Sequence, residues 1–298
     1  MSILATDIGY GHTKYAFENV LNKFPTLLAP VKEYSGIGNS LTVTYNGRSY
    51  VVGEAAKDSI KQIPSVTQDF LVKYSPIFLY EIMKSLGFPE ISKIYVSLSI
   101  SEFKNNCKAL EKACSKFIAN DTVFSQPAVA LPQGLGIWYA CGKPKNALIV
   151  DIGYNTIDVL TIKNSAPQPA DSFGILDTGV ITIANDVSEM LSERFNHPID
   201  LHFANTVLMN NGKFKFDRRE YDVSDDIDDL KSAYTERMLA VIFNNQHIKH
   251  IIRSTDMFII AGGGAYFIDE TIKQEKSIYI PDQPEYANVL GFIQFAKE

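Results

Sequence analysis

Cysteine, excess positive charge and long apolar runs are all scarce in this chain, and each shortage removes a class of protein. Only three cysteines, Cys107, Cys114 and Cys141, occur in 298 residues. They show neither C-x-x-C nor Cys/His metal spacing, so no disulfide framework and no zinc site is expected, only three reduced, buried thiols. Lys and Arg number 28 against 34 Asp and Glu, a formal net charge of -6 with a pI near 5.5. Non-specific binding to nucleic acid is driven by neutralising phosphates with cations, so a direct grip on DNA is not expected and any DNA connection should run through another protein. No stretch reaches the roughly 18 consecutive apolar residues of a membrane span. Asp7 interrupts the apolar start too early for a secretory leader. A soluble, cytoplasmic protein without membrane contact is the expectation. What is present, 46% hydrophobic and 21% charged residues, suits an ordinary globular chain of one large or two modest domains.

The chain also says one thing twice. Asp-Ile-Gly-Tyr occurs at Asp7 to Tyr10 and again at Asp151 to Tyr154, each time after an apolar, strand-like run. A carboxylate at a strand end followed by glycine is the chemistry needed to hold a metal-bound phosphate, because glycine lets backbone N–H groups approach the oxygens without an intervening Cβ. Two such turns about half a chain apart suggest two related lobes gripping one nucleotide.

Between these turns the chain reads as a β-rich beginning, with turns at Pro25, Pro30, Gly36 to Gly38 and Asn46-Gly47. The last lies between two alternating runs and predicts a hairpin, since both residues accept positive φ. Apolar spacing predicts helices over Asp69 to Leu86, closed by Gly87, and over Glu102 to Ala119, whose stripe of Cys107, Leu110, Cys114 and Phe117 reads as core. Ile94 to Ile100 and Val123-Phe124 read as strands, and Ala128 to Ala140 as helix. After Asp151, Ile157 to Ile162 is a hairpin return, Asn164 to Asp171 an exposed connection and Thr182 to Phe195 a helix. A polar excursion runs from about Asn196 to Asp229. Its acidic end, Asp225 to Asp229, reads as a solvated helix start, where carboxylates suit the positive end of the dipole. Tyr234 to Ile252 reads as helix, Met257 to Ala261 as strand, Gly262 to Gly264 as a sharp turn into a helix holding Tyr266 to Ile268, and Leu290 to Ala296 as a short closing helix.

Three constellations carry the chemistry. The first, Asp7-x-Gly9-x-Gly11-x-Thr13-Lys14, is a phosphate loop if Lys14 offers its charge to a phosphate, or a plain hairpin turn if not. The second, Asp151 through Gly153, Tyr154, Asn155 and Thr156 to Asp158, adds a second carboxylate. In the third, Ala261-Gly262-Gly263-Gly264 follows an apolar strand, where stripped side chains let an adenine or ribose lie against backbone. Asp158 reads equally well as a buried structural carboxylate or as part of a metal shell.

This order of phosphate, connecting, phosphate and adenosine segments, then a terminal helix, is similar to the actin, heat-shock-chaperone and sugar-kinase superfamily. Asp7-Ile-Gly-Tyr-Gly-His-Thr-Lys14 resembles the first phosphate signature of the plasmid-segregation actins, the ParM/StbA branch and its archaeal relatives. Ala287-Asn-Val-Leu-Gly-Phe292 resembles the same branch. The resemblance implies an α/β, actin-like fold: two related, ribonuclease H-like lobes around a nucleotide cleft, with small accessory subdomains. The lobes would span 1–150 and 151–298, with 287–298 packing back on the first. It further implies that Asp7 and Asp151 position a Mg2+ shell, mostly through water. Gly9, Tyr10, Gly11, Thr13, Lys14, Gly153, Tyr154, Asn155 and Thr156 would contact the phosphates of ATP or GTP, Lys14 at the β-phosphate, and Gly262, Gly263 and Gly264 would bracket the nucleoside. Gln133 falls where the family orients the attacking water, or is a helix-start residue. Tyr154 and Asn155 replace small residues common in the wider superfamily, and Lys231 and Glu236 are candidate adenine contacts.

The function so implied is a nucleotide-dependent, filament-forming ATPase in plasmid or DNA segregation, its partners being copies of itself and a DNA-binding adaptor. The alternatives are a small-molecule kinase of the same superfamily and a non-polymerising, nucleotide-gated scaffold.

Overall fold

The computed structural model describes residues 2–31, 42–57, 59, 62–63, 67–246, 248–249, 251–275 and 277–298. The turn expected at Gly36 to Gly38 lies outside them. The chain divides into two units, one comprising Met1–Pro144 with Glu285–Glu298, the other Lys145–Pro284.

In the first unit, glycine and asparagine punctuate alternating runs into strands β1 (Ile3–Ile8), β2 (His12–Phe17), β3 (Val20–Pro25), β4 (Leu28–Val31), β5 (Thr42–Tyr45) and β6 (Arg48–Val52). Asn46 and Gly47, at φ 50° and 71°, close β5 onto β6 with Tyr45 opposite Arg48, the expected two-residue turn. Helix α1 (Gln68–Ser85) starts where the Thr67 hydroxyl accepts the Phe70 N–H at 3.3 Å, and stops before Gly87 at φ 75°. Then come β7 (Lys93–Leu98), α2 (Ile100–Ser115), β8 (Lys116–Ala119), β9 (Thr122–Ser125), β10 (Ala128–Pro132) and α3 (Leu135–Ala140). The main sheet has the order β10-β7-β1-β2-β3, parallel across β10, β7 and β1 and antiparallel from β1 to β3. The C-terminal helix Ala287–Phe295 covers one face, burying Val289 and Phe292 against Ala5, Ala16, Tyr95 and Leu131. Strands β4, β6 and β5 form a separate small sheet.

The second unit repeats the plan. Strands β11 (Ala147–Ile152), β12 (Thr156–Lys163), β13 (Ala166–Pro167) and β14 (Phe173–Leu176) are followed by α4 (Val180–Phe195), α5 (Leu201–Met209), the hairpin β15 (Lys213–Phe216) and β16 (Arg219–Asp222), α6 (Ser224–Asn244), β17 (Met257–Ala261) and β18 (Ile278–Tyr279). The sheet order is β13-β12-β11-β17-β18, with β14 also on β12, again antiparallel on one side of the first strand and parallel on the other. Ile183, Val187 and Leu191 of α4 and Tyr234, Met238 and Ile242 of α6 pack on Leu148, Val150 and Val159. This is an α/β architecture of two units on one plan, with the small sheet and two hairpins as accessory elements.

Several expectations are corrected. The helix expected to Ala119 ends at Ser115, because Asn120 and Asp121 at φ 46° and 58° turn Lys116–Ala119 back onto Thr122–Ser125 as a hairpin. Ala128 to Ala140 is a strand and then a helix, broken at Gly134, φ 86°. The polar excursion holds α5 and a hairpin, since Ala204, Val207 and Leu208 are buried beneath its polar surface. The helix expected from Tyr234 to Ile252 starts at Ser224, taking in the acidic run, and ends at Asn244. The Gly-rich turn continues as a 3-10 turn, Gly263–Phe267, rather than an α-helix. The strand Ala147–Ile152 falls wholly in the second unit, where its ladder partners lie. All three cysteines are free thiols, and only Cys114 is buried. Among the described residues no helix is long and apolar enough to cross a membrane.

Candidate functional site

In the first unit the site grows from the end of β1. Asp7 stands opposite Lys14 in the β1–β2 ladder, and opposed residues share a face, so the Lys14 ammonium meets Asp7 Oδ2 at 2.8 Å. On the other side of β1, β7 brings up Ser97, whose hydroxyl donates to Asp7 Oδ1. Gln133 Nε2 donates to the same oxygen at 2.9 Å from just beyond β10. Asp7 is 2% exposed. Burial alone would raise its pKa, but the charge and hydrogen bond of Lys14, with the Ser97 and Gln133 donors, hold the carboxyl below its usual range.

Gly9 and Gly11 make the turn between β1 and β2. The Gly9 N–H donates to the His12 carbonyl at 3.2 Å, and the Gly11 carbonyl accepts the Thr26 N–H at 3.0 Å. A Cβ on Gly9 would lie 3.3 Å from the His12 oxygen and 3.6 Å from Lys14 Nζ, so the missing side chain keeps the approach to that ammonium open. Tyr10 and Thr13 are buried, and the Thr13 hydroxyl is bonded at 3.0 Å to that of Thr26. These two therefore support the turn from inside. His12 is exposed, yet the partly desolvated turn around it and the charges of Lys14, Lys23 and Lys57 hold its pKa below the usual imidazole value, with Glu54 opposing. The turn thus sits in a cationic field.

In the second unit Asp151 is flanked in the sheet by Asp158 on β12 and Ala261 on β17. The position seven residues after the strand-end aspartate is therefore a lysine in the first loop and a second buried carboxylate in the second. Gly153 N–H donates to Thr156 O at 2.8 Å, closing the turn, and Asn155 and Thr156 are buried. The start of α4 backs this loop: the N–H groups of Val180 and Ile181 donate to the carbonyls of Gly153 and Tyr154 at 3.1 and 2.8 Å. A Cβ on Gly179 would fall 2.5 Å from the Gly153 oxygen. The Tyr154 hydroxyl is anchored by Asn205 Nδ2 at 3.0 Å.

The Gly262 turn packs on the same strand end. Gly262 has φ 83°, and a Cβ there would lie 2.4 Å from Asp151 Oδ1; one on Gly264 would strike Ile152. Gly263 has nothing within 4 Å of where its Cβ would be. Asp151, Gly153, Tyr154, Asn155, Thr156 and Gly262 to Gly264 therefore share one corner of the second unit, as Asp7, Gly9, Lys14 and Gln133 share one corner of the first. Lys231 is held by Asn211 Oδ1 at 2.5 Å and Asp228 at 3.1 Å, and Glu236 is exposed.

Sequence reasoning missed Ser97, Gly179, Lys23 and Lys57. Ser97 lies in an apolar strand with no motif around it, and only the β1–β7 pairing brings it to Asp7. Gly179, within Asp177-Thr-Gly179, was the one detectable signal, a glycine immediately before a helical run.

The sequence from 5 to 136 matches the family described as actin-like proteins, N-terminal domain, and that from 149 to 274 the C-terminal domain of the archaeal actin homologue MreB-like. No curated protein matches the chain. Among solved structures, the archaeal actin homologue Ta0583 in complex with ADP superposes with a TM-score of 0.78 at 19% identity, covering 100% of this chain and 99% of that one. A ParM from a 15-stranded Clostridium botulinum filament gives 0.76 at 20% identity, with 99% of each chain covered. Bacillus thuringiensis ParM with ATP gives 0.71 at 14% identity, covering 99% of this chain and 98% of that one. At these identities the likeness is one of fold. With a family match in each half and the doubled strand-and-loop plan beneath them, this chain belongs to the actin-like proteins.

Proposed function

We propose that the Asp7 and Asp151 loops serve one Mg-nucleotide, that the chain hydrolyses ATP, and that nucleotide state governs head-to-tail assembly into filaments. Cargo, DNA or a plasmid, would attach through a DNA-binding adaptor. The observation that carries the reading is the gathering of Lys14, Ser97 and Gln133 on one buried carboxylate. Four groups from four separate segments converge there, more than a hairpin turn requires.

The donor set suits Mg2+. Among the described residues no group of three His, Cys, Asp or Glu forms an all-protein cage. Mg2+ keeps several waters and leans on phosphate oxygens, so the opposed Asp151 and Asp158 carboxylates, with Asp7, would hold it through its hydration shell. Bound there, the ion would neutralise phosphate charge. The Lys14 ammonium, paired with Asp7 at 2.8 Å, would share its charge with the β-phosphate. Gln133, with Nε2 given to Asp7, would accept a hydrogen bond from the attacking water at Oε1 and so aim a lone pair at phosphorus. Positioning and charge stabilisation then suffice, with no covalent intermediate. Gly262 to Gly264 would bracket the nucleoside, and ATP and GTP both fit this description.

Filament assembly draws support from the ParM and archaeal actin folds nearby, one of them recorded as a filament and another with ADP. Head-to-tail contacts that do not close produce open polymers, so assembly should depend on concentration. High-speed sedimentation with ATP, ADP, a non-hydrolysable ATP analogue or no nucleotide, beside a phosphate-release assay, tests the proposal. Pelleting with ATP and the analogue but not ADP is expected. A soluble protein in every condition overturns the filament reading, and phosphate transfer to an added small molecule would favour the kinase instead.

A further inference from the structure

The C-terminal helix Ala287–Phe295 reaches the candidate site through one side chain. Asn288, 4% exposed, presents Oδ1 to the Gly134 N–H at 3.0 Å. Two residues on, the helices touch backbone to backbone: a Cβ on Gly136 would fall 2.2 Å from the Asn288 oxygen, and one on Gly291 would fall 1.7 Å from the Gly136 oxygen. Farther along, Tyr139 and Phe295 stack edge to face at 5.3 Å, and the Tyr139 hydroxyl donates to Glu298 at 3.2 Å. The contacts advance in the same order on both segments, so α3 and the C-terminal helix run parallel.

Gln133 is the residue immediately before this clamp. Its own N–H donates to Leu98 O at 2.7 Å, and the next N–H along the chain goes to Asn288. Two backbone anchors, one on β7 and one on the C-terminal helix, therefore fix the point from which the Gln133 amide reaches Asp7. We infer that Asn288 is a positioning residue that sets the reach of Gln133, so the C-terminal helix tunes hydrolysis without touching nucleotide. This rests on the water-orienting role proposed for Gln133. Removing the Asn288 acceptor leaves a buried N–H unsatisfied. Gly134 has no Cβ and sits at φ 86°, so its peptide turns to find another acceptor and takes Gln133 with it. Misplacement by about 1 Å is enough to slow a positioned reaction up to about a hundredfold.

The test compares Gln133→Ala, Asn288→Ala and the double variant in single-turnover hydrolysis and in equilibrium binding of a fluorescent ATP analogue. Hydrogen exchange is followed in the peptide containing Gly134. Asn288→Ala should lower kcat about tenfold or more, leave nucleotide affinity within about twofold and speed exchange at Gly134. The double variant should be no slower than Gln133→Ala. Asn288→Ser keeps a hydroxyl acceptor and should recover part of both kcat and protection, which also covers the case in which the alanine variant does not fold. Glu298→Gln, which loosens the far end of the same helix, should leave kcat unchanged. Slow Gln133→Ala beside normal Asn288→Ala, multiplying effects in the double variant, or a serine variant with restored protection but no restored rate overturns the inference alone. Normal hydrolysis by Gln133→Ala overturns the water-orienting reading and this inference together.

Discussion

Gly291→Ala is the sharpest stability test this fold offers. The new Cβ would stand 1.7 Å from the Gly136 carbonyl oxygen and 2.4 Å from its carbon. Carbon-to-oxygen contacts begin near ~3.3 Å, so the two parallel helices would have to part by about 1.5 Å. That separation withdraws Val289 and Phe292, both fully buried, from Ala5, Ala16 and Tyr95. Overpacking costs about 1–3 kcal/mol and more where backbone must move, so about 3 kcal/mol is expected. For a unit of this size that is a fall in melting temperature of about 6–12 °C. The only tryptophan, Trp138, lies buried on α3. Its fluorescence during thermal unfolding therefore reports on this contact directly. Gly47→Ala is the control: it adds a Cβ with nothing within 4 Å, at φ 71°. Its cost is backbone strain alone, about 1–2 kcal/mol. If Gly291→Ala melts within about 2 °C of the wild type, or no lower than Gly47→Ala, the close crossing is not what holds this helix.

Asp7→Asn leaves the Lys14 ammonium, 13% exposed, without its carboxylate, and should destabilise the first unit by about 3 kcal/mol at pH 7. Because the folded Asp7 pKa is lowered, that advantage of the wild type is fully present above 3.8, the ordinary pKa of an aspartate in the unfolded chain. It should be lost as the pH falls below that value toward the folded pKa; urea titrations of both proteins from pH 7 to pH 3 check this, and a gap that widens on acidification refutes the sign. Phe292→Ala should cost about 3–5 kcal/mol in denaturant unfolding, since its side chain is fully buried. Lys14→Met should weaken ATP binding, measured by calorimetry, more than binding of adenosine; equal weakening of both would place Lys14 away from the phosphates.

The parts of the fold legible in the sequence were those written in local punctuation. The Asn46-Gly47 hairpin, the Thr67 to Gly87 helix and the two aspartate-glycine turns each carry their geometry in adjacent residues. The stripe from Cys107 to Phe117 misled because its spacing continues smoothly through Ser115, while the cause of the break, two left-handed residues at Asn120 and Asp121, lies beyond it. Ala204, Val207 and Leu208 were hidden by polar neighbours that face outward. At the site, Asp7, Lys14 and Gln133 were nameable from motif and order, whereas Ser97 and Asn288 arrive only through pairing of segments 90 and 154 positions apart.

The return of residues 285–298 to the first unit has a consequence for how the chain is made. When Pro144 leaves the ribosome, the sheet of that unit has all five strands, yet the face that will receive Val289 and Phe292 is still bare. Its cover is encoded about 140 residues later, which at about 5–20 residues per second is a wait of about 7–28 s. During that interval the second unit, Lys145–Pro284, is contiguous in sequence and free to fold. The unit begun first is thus finished last, and its apolar face stays within reach of chaperones, or of other nascent chains, for about half of translation.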